Sequence, residues 1–253
     1  MKTIAIIPAR YGSTRFPGKP LAKIAGIPMI LHVWNQASKC KLVNDLIVAT
    51  DDERIAEVVR QHQGKVILTS PNHPTGTDRL LEVKQHYPDF DIYLNIQGDE
   101  PLLNPTVPDA LIQQLSAFES AEIATPICAI SQAEKLLSPH VVKVVKDSSG
   151  FALYFSRQPI PYIREAANPT QWLQYHEFFQ HIGVYAFKNK ALDRIAILPP
   201  GKLETAESLE QLRWLEAGMR IQTIQTESPG PAVDTPEDLH NLEAQFFPDY
   251  KSV

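Results

Sequence analysis

Short apolar runs alternate with apolar residues at helical spacing through the first part of the chain. Residues 4–7 form an apolar run of strand length that Pro8 ends, and a polar loop follows. One helix face is then predicted by Met29, Ile30, Val33, Trp34 and Ala37. The pattern continues with strands at residues 46–49, 66–68 and 92–96, and with helices that carry Ile55, Val58 and Val59 and then Leu80, Leu81 and Val83. This alternation predicts an α/β fold with a mostly parallel sheet, helices on both faces, and ligands beyond the carboxyl ends of the strands.

The pattern changes from about Glu122 onwards. Residues 141–145 and 151–155 flank the polar stretch 146–150 and predict a hairpin, and residues 181–187 alternate enough to predict another strand. Leu209, Leu212 and Leu215 predict a helix over 204–217. A strand at 221–224 and a final helix follow, the latter with Thr235 as N-cap and Pro236 at its first position. We therefore predict a nucleotide-binding α/β domain from residues 1–121 and 219–253, and a smaller mixed β lobe from residues 122–218.

Composition narrows the class of protein. The 253 residues are 43% hydrophobic and 21% charged, which is ordinary for a globular protein. A net charge of −5 without a basic run predicts no nucleic-acid partner and no binding to anionic membranes. Cys40 and Cys128 are far apart, which argues against a disulfide framework and a zinc site. The chain has no signal-peptide pattern and no apolar stretch of membrane-spanning length, so we expect a cytoplasmic protein.

The loop PARYGSTRFPGK at residues 8–19 carries the first candidate chemistry. It places the cations Arg10, Arg15 and Lys19 among glycines and hydroxyls directly after the first strand. Glycines let backbone N–H groups approach phosphate oxygens, arginine offers paired hydrogen bonds, and lysine supplies a mobile positive charge. Five residues separate Gly12 from Gly18, and Lys19 is followed by proline, so the loop is not a Walker A motif. The residues alone predict a polyphosphate cradle.

This loop resembles the N-terminal signature of the CMP-Kdo synthetases, the 3-deoxy-manno-octulosonate cytidylyltransferases. Further segments resemble motifs of that family in the same order along nearly the whole chain. They are ATDD (49–52), HPTGTDR (73–79), NIQGDEP (95–101), ALYFSR (152–157), HIGVY (181–185), LEQLR (209–213) and VDTPED (233–238). The resemblance implies a nucleotide-diphospho-sugar transferase-like fold with a second lobe that binds an acid sugar and forms a homodimer.

The family resemblance implies transfer of CMP from CTP to the anomeric hydroxyl of Kdo, an eight-carbon acid sugar. The products are CMP-Kdo, for lipopolysaccharide synthesis, and pyrophosphate. The implied catalytic residues are Arg10, Arg15, Lys19 and Asp99. Asp99 and Asp234 are implied as ligands of a Mg²⁺ cofactor, an ion that usually takes one or two carboxylates together with substrate phosphates. Glu100 and Asp238 are interpreted as supporting or helix-capping carboxylates.

Two sets of binding residues follow from the same resemblance. The nucleotide is expected to contact Ala9, Arg10, Ser13, Lys19, Thr75, Gly76, Thr77 and Gln97. Within this set, the resemblance implies that the loop at residues 75–77, the base loop, contacts the edge of the cytosine. The sugar is expected to contact Gln97, Arg157, Arg164, His181, Tyr185, Glu210 and Gln211. The arginines of the second set would face the sugar carboxylate, and the other residues its hydroxyls.

Alternative functions remain open from the sequence. The acceptor could be the 8-amino analogue of Kdo or a nine-carbon sialic-type acid. A hexose-1-phosphate nucleotidyltransferase is disfavoured because that group typically carries a GxGTR-like loop. A catalytically silent nucleotide-binding protein is disfavoured because Arg10, Lys19, Asp99 and Asp234 occur together.

Overall fold

The computed structural model describes residues 1–12, 15–227, 230–248 and 250. Contacts within the chain define two compact units. The first comprises Met1–Asp109 and Gly230–Val253, and the second comprises Ala110–Pro229. Within the described ranges, none of the helices combines the length and the hydrophobicity needed to span a bilayer.

The elements alternate as the sequence predicts in the first half and become irregular in the second. The strands are β1 (Thr3–Ala9), β2 (Lys23–Ile24), β3 (Ile27–Pro28), β4 (Asp45–Thr50), β5 (Val66–Leu68), β6 (Ile92–Asn95), β7 (Ile123–Ala129), β8 (Lys143–Lys146), β9 (Ala152–Ser156), β10 (Phe179–His181), β11 (Tyr185–Lys188) and β12 (Ile221–Thr226). The helices are α1 (Met29–Ala37), α2 (Glu53–Gln61), α3 (Gly76–His86), α4 (Thr106–Ala117), α5 (Ala133–Leu137), α6 (Asn189–Ile195), α7 (Lys202–Glu207), α8 (Gln211–Glu216) and α9 (Pro236–Phe246). Short 3₁₀ helices lie at Lys19–Leu21 and Pro169–Gln174.

The first unit contains a parallel sheet in the order β5–β4–β1–β6, flanked by helices. In β1 the side chains of Ile4, Ile6 and Ile7 are fully buried, so both faces of this strand are covered. Each such isoleucine contributes roughly 1.5–3 kcal/mol relative to an exposed one. Because parallel strands end at the same edge, the loops after β1, β4, β5 and β6 meet there. The predicted α/β class with a mostly parallel sheet is confirmed.

The sequence pattern predicted that Pro8 ends the first strand, and this prediction is wrong. β1 continues to Ala9, and Pro8 lies opposite Ala49 in the ladder with β4. On the other side, the ladder between β1 and β6 ends at Ile6 and Asn95. The missing N–H of Pro8 therefore costs no hydrogen bond to β6, and the strand tolerates proline at this position.

The second unit is a mixed sheet built around β7. β12 pairs in parallel with one edge of β7, whereas β10 and β11 pair antiparallel with it. β8 pairs antiparallel with β10, and it forms the predicted hairpin with β9. Because β12 pairs with β7, most contacts of β12 lie in the second unit. The sequence pattern had assigned residues 219–253, which include β12, to the first unit.

The single strand predicted at residues 181–187 is wrong, because the chain forms β10 and β11 with an interruption between them. The hydroxyl of Thr125 lies 3.2 Å from the carbonyl oxygen of Ile182 and 2.9 Å from that of Val184. The backbone N–H of Val184 also donates to the Ile182 carbonyl at 2.9 Å, which closes a tight turn. The N–H of Ile182 still donates to the carbonyl of Pro126 in β7 at 3.0 Å, but the bonds from Thr125 and Val184 occupy the carbonyls of Ile182 and Val184 and interrupt the ladder there.

The single helix predicted at residues 204–217 is also wrong. Ser208 adopts the left-handed conformation with φ of 51°, which ends α7, and α8 begins at Gln211. The guanidinium of Arg157 donates to the carbonyl of Glu207 at 2.7 Å and to that of Ser208 at 3.2 Å. A side chain distant in sequence thus satisfies the carbonyls that a continuous helix would have used.

Candidate active site

A cavity of about 400 Å³ opens at the carboxyl edge of the sheet in the first unit. It is lined by Pro8, Ala9, Arg10, Arg15, Lys19, Pro20, His73, Pro74, Thr75, Gly76, Arg79, Gln97, Gly98, Asp99 and Asp234. The lining joins the ends of β1 and β6, the start of α3 and the residue before the cap of α9. Most of the residues predicted for the nucleotide and the metal are therefore brought together.

Lys19 lies at the centre of the charged groups. Its Nζ donates to Asp99 Oδ2 at 2.7 Å and to Asp234 Oδ1 at 3.3 Å, and its side chain is only 14% exposed. The lysine follows Gly18, which has φ of 71°, and begins the short 3₁₀ helix. The turn directs the ammonium group back to the carboxylates that follow β6 and precede α9.

Close backbone packing fixes the two carboxylate-bearing segments. The N–H of Val233 donates to the carbonyl of Asp99 at 2.9 Å, which joins the two segments directly. A Cβ placed on Gly98 would lie 2.7 Å from the carbonyl oxygen of Pro8. Glycine is therefore required next to Asp99 so that this segment can lie against the end of β1.

The remaining predicted residues of the first loop differ in their exposure. Ala9 is buried, whereas Arg10 and Arg15 are exposed and line the cavity. Arg15 Nη2 donates to Asp234 Oδ1 at 3.1 Å. Ser13, predicted as a nucleotide contact, lies outside the described residues. The loop thus presents Arg10, Arg15 and Lys19 to the cavity.

The carboxylates of Asp99 and Asp234 fit a Mg²⁺ site in which phosphate oxygens supply some of the other ligands. Both lie within 3.3 Å of one atom, Lys19 Nζ, so they converge on one point. Hard oxygen donors of this kind suit Mg²⁺. Among the described residues, no three His, Cys, Asp or Glu side chains form a complete metal site. An ion held here would need phosphate or water oxygens to complete its coordination.

The predicted base loop starts α3. Thr75 is the N-cap of this helix: its hydroxyl accepts from the N–H of Asp78 at 3.1 Å, and the Asp78 carboxylate accepts from the N–H of Thr75 at 3.2 Å. Thr75, Gly76 and Gln97 line the cavity, whereas Thr77 is buried. The Thr75 hydroxyl thus has a capping role, and its contact with a base stays a prediction.

The sequence predictions did not include two polar pairs beside the base loop. Arg79 is almost fully buried, and its Nη2 donates to Asp51 at 3.0 Å. His73 contacts the carboxylate of Glu82. Both Arg79 and His73 line the cavity and stand in the motif at residues 73–79. The sequence did carry a signal for the pair of Arg79 with Asp51. Arg79 stands next to Leu80 on the apolar face of a predicted helix, and an arginine buried there must have a partner.

The two supporting carboxylates have different environments. Glu100 is buried, and its burial, together with the charge of Asp99, raises its pKa to about 8. Asp238 completes the capping box of α9 with Thr235, as the sequence pattern predicted. Partial burial opposes ionisation of Asp238, but hydrogen bonds from Thr235 and from the N–H of Asp234 outweigh it and lower its pKa. This cap fixes the start of α9 directly after Asp234.

In the second unit, Arg157 has several partners within the fold. Its side chain donates to the carbonyls of Glu207, Ser208 and Pro139, and its N–H donates to the Glu207 carboxylate at 2.9 Å. The fully buried Lys143 also contacts the carbonyl of Arg157. These bonds hold the turn after β9, and the role of Arg157 as partner of a sugar carboxylate stays a prediction.

The other residues predicted for the sugar vary in burial. Arg164 is exposed, Glu210 is half-buried, and Tyr185 and Gln211 are buried. His181 packs against Tyr185 with a ring distance of 5.2 Å, and its Nε2 lies 3.0 Å from Thr125 Oγ1. Burial lowers the pKa of His181 to about 3, so the imidazole is neutral at physiological pH. Burial raises the pKa of Tyr185 well above its usual value, and the negative charge of Glu210 adds a smaller effect in the same direction.

A cation-lined cavity at the carboxyl edge of a parallel sheet, with two converging aspartates, suits a nucleotidyltransferase, and the comparisons with known proteins show that class. The family profile described as cytidylyltransferase matches residues 4–221. A relative from Trichlorobacter lovleyi, named 3-deoxy-manno-octulosonate cytidylyltransferase, is 47% identical over 97% of this chain and 99% of its own. A relative of the same name from Cytophaga hutchinsonii is 48% identical over 93% of this chain and 94% of its own.

A solved structure supports the same assignment. It is described as CMP:2-keto-3-deoxy-manno-octonic acid synthetase complexed with CTP, and it matches this structure with a TM-score of 0.92. The two chains are 42% identical, and the match covers 98% of this chain and 100% of the other. The chain belongs to the 3-deoxy-manno-octulosonate cytidylyltransferase family, and the resemblance inferred from its motifs is confirmed.

Proposed function

We propose that this protein transfers CMP from CTP to the anomeric C2 hydroxyl of Kdo and releases pyrophosphate. The observation that carries the proposal is the match, over 98% of the chain, to a Kdo-activating synthetase solved with CTP. The cation-lined cavity of the first unit supports it, because a triphosphate needs concentrated positive charge in a chain with a net charge of −5.

The proposed mechanism depends mainly on charge stabilisation. The oxygen of the Kdo C2 hydroxyl attacks the α-phosphorus and loses its proton to solvent. The bond between the α-phosphorus and the oxygen that bridges to the β-phosphate breaks, and pyrophosphate leaves with that electron pair. Arg10, Arg15 and Lys19 neutralise the triphosphate and the charge that develops on the leaving group. In this mechanism the ammonium of Lys19 exchanges its carboxylate partners for phosphate oxygens.

Asp99 and Asp234 are the residues that would hold Mg²⁺. When bound, the ion supplies Lewis-acid stabilisation of the phosphate oxygens. The two carboxylates lie within hydrogen-bond distance of Lys19 Nζ, and Arg15 also pairs with Asp234, so these two cations balance the two carboxylates before the nucleotide binds. The cap formed by Thr235 and Asp238 keeps Asp234 in position.

The proposed acceptor contacts are Gln97, Arg157, Arg164, His181, Tyr185, Glu210 and Gln211. Because burial lowers the pKa of His181 to about 3, its imidazole would serve the sugar as a neutral hydrogen-bonding group. A pKa this low makes it a weak general base. Arg164 is exposed and has a permanent charge, which suits it to the sugar carboxylate.

A matrix of substrates tests the function. The protein is incubated with Mg²⁺, each of the four nucleoside triphosphates, and Kdo, 8-amino-Kdo or N-acetylneuraminate, and pyrophosphate release is measured. We expect release with CTP and Kdo. Release with GTP in place of CTP, or with CTP only when N-acetylneuraminate is supplied, would refute the proposal.

We also propose that the protein acts in the cytoplasm as a homodimer, and that its product supplies lipopolysaccharide synthesis. The proposal of a homodimer rests on the family resemblance of the second lobe. Light scattering after size-exclusion chromatography measures the molar mass, and a mass of one chain at all concentrations would contradict the dimer.

A further inference from the structure

The ring of Tyr11 lies between Arg54 and Gly18. The guanidinium carbon of Arg54 is 3.5 Å from the centre of the ring. A Cβ placed on Gly18 would lie 3.2 Å from atoms of the same ring, and Gly18 has φ of 71°, so this position favours glycine for two reasons. The N–H of Gly18 also donates to the carbonyl of Tyr11 at 2.9 Å. Tyr11 therefore closes the loop immediately before Lys19.

Arg54 is held in a fixed plane at the start of α2. Its Nε and Nη2 donate to the two carboxylate oxygens of Asp52 at 2.9 and 2.6 Å. The same carboxylate caps α2 through the N–H of Arg54 at 2.9 Å. The N–H of Asp52 donates to Thr50 Oγ1 at 3.2 Å, which ties the group to the end of β4. The orientation of the guanidinium is thus set by hydrogen bonds that lead back to the end of β4, independently of its contact with the ring.

Stability alone does not account for this arrangement. The Arg54 side chain is 59% exposed, and exposed ion pairs contribute little to folding. A planar guanidinium stacked on an aromatic ring does, however, restrict where the ring can lie. The restricted ring in turn fixes Gly18, and Lys19 is the next residue.

We propose that Arg54 and Tyr11 form a clamp that positions Lys19 for the triphosphate. They are positioning residues that act through Gly18. This inference rests on the proposed function, because it assigns Lys19 to the triphosphate. It predicts that a planar group at position 54, and not only a positive charge, is needed for tight binding of the nucleotide.

Three variants test the clamp. Arg54→Ala removes the stack and Arg54→Lys keeps the charge without the plane. Arg60→Ala is the matched control, because Arg60 lies on the same helix, is 45% exposed and pairs with Glu53. The dissociation constant of CTP with Mg²⁺ is measured by calorimetry without sugar, together with kcat, KM and the unfolding midpoint. Trypsin cleavage after Arg15, followed by mass spectrometry, reports on the loop without any nucleotide.

We expect Arg54→Ala to weaken CTP binding about tenfold and to speed cleavage after Arg15, with an unchanged unfolding midpoint. The effect should appear in KM more than in kcat. Arg54→Lys should show most of the same loss, and Arg60→Ala should match the parent. The clamp is overturned by parental binding and cleavage in Arg54→Ala, by full recovery in Arg54→Lys, or by an equal loss in Arg60→Ala. Failure of the parent to release pyrophosphate with Kdo would instead refute the proposed function, while cleavage after Arg15 would still decide the clamp.

Discussion

The ammonium of Lys19 and the carboxylates of Asp99 and Asp234 form a compact charged group at the residue scale. Lys19 and Arg15 together balance the charges of Asp99 and Asp234, and a triphosphate with a bound cation offers both the cations and the carboxylates new partners. Exchange of partners would let the cavity stay close to neutral in either state. Loss of the lysine should therefore affect catalysis more than folding.

We expect Lys19→Ala to lower kcat about 10²- to 10³-fold, because it removes one preorganised charge from the transition state. Pyrophosphate release under saturating CTP and Kdo measures this loss. Lys23→Ala is the matched control, since Lys23 is exposed on the short strand β2 four residues further on. Activity near that of the parent in Lys19→Ala, or an equal loss in Lys23→Ala, would contradict the role of Lys19.

The low pKa of His181 leads us to predict that the free energy of unfolding depends on pH. Burial lowers the pKa of this histidine to about 3 in the folded chain, against 6.5 for an exposed histidine. Between these values the unfolded chain binds more protons, so the stability contributed by this group is present above about pH 6.5 and is lost as the pH falls towards 3. The slope reaches at most about 1.4 kcal/mol per pH unit.

Urea unfolding of the parent and of His181→Gln at about pH 5 and about pH 7.5 isolates this contribution. We expect acidification to cost the parent about 1–2 kcal/mol more than the variant. His62→Gln, at an exposed histidine, should keep the parental pH dependence. An identical loss of stability in the parent and in His181→Gln would show that His181 does not contribute.

At the scale of elements, local patterns predicted the first unit better than the second. The strand at residues 66–68 and the cap of α9 by Thr235 depend on neighbouring residues, and both were predicted correctly. The breaks at Ser208 and at residues 182–184 depend on Arg157 and Thr125, which are 51 and 57 residues distant from the carbonyls that they contact. Apolar spacing carries no information about such partners, so it predicted continuous elements.

The spacing between β1 and the segment after β6 leads to a further prediction. Gly98→Ala would bring Cβ to 2.7 Å from the carbonyl oxygen of Pro8, and backbone must move to relieve that contact. We expect a loss of about 2 kcal/mol in the free energy of unfolding, and a loss of turnover because Asp99 moves with the segment. Chemical denaturation and pyrophosphate release measure the two effects.

Gly230→Ala is the control for this prediction. A Cβ placed there would lie 3.7 Å from the carbonyl of Leu102, which is an ordinary contact distance. This variant should stay within about 0.5 kcal/mol of the parent. Equal stabilities for Gly98→Ala and Gly230→Ala would show that the segment after β6 is not limited by the end of β1.

For the whole molecule, the sequence located the cavity but not all of its lining. Arg10, Lys19 and Asp99 follow strands whose carboxyl ends meet at one edge, so alternation of elements was enough to bring them together. The pairs of Arg79 with Asp51 and of His73 with Glu82 join different loops and the body of α3. They depend on how the loops fold back over the edge, which periodicity does not determine.

The proposed division of substrate binding between the units is open to a direct test by hydrogen exchange. With Mg²⁺ and α,β-methylene-CTP, in which the bond to be broken is replaced, we expect slower exchange at residues 9–12, 15–19, 75–79 and 97–99 of the first unit. Adding Kdo should then slow exchange around Arg157, residues 181–185 and residues 210–211 of the second unit, because a bound ligand suppresses local opening of the segments that it contacts. Glucose at the same concentration, which lacks the carboxylate, should leave the second unit unchanged. If the additional protection by Kdo were confined to the first unit, the assignment of the acid-sugar contacts to the second unit would be wrong, while the assignment of the nucleotide to the cavity would stand.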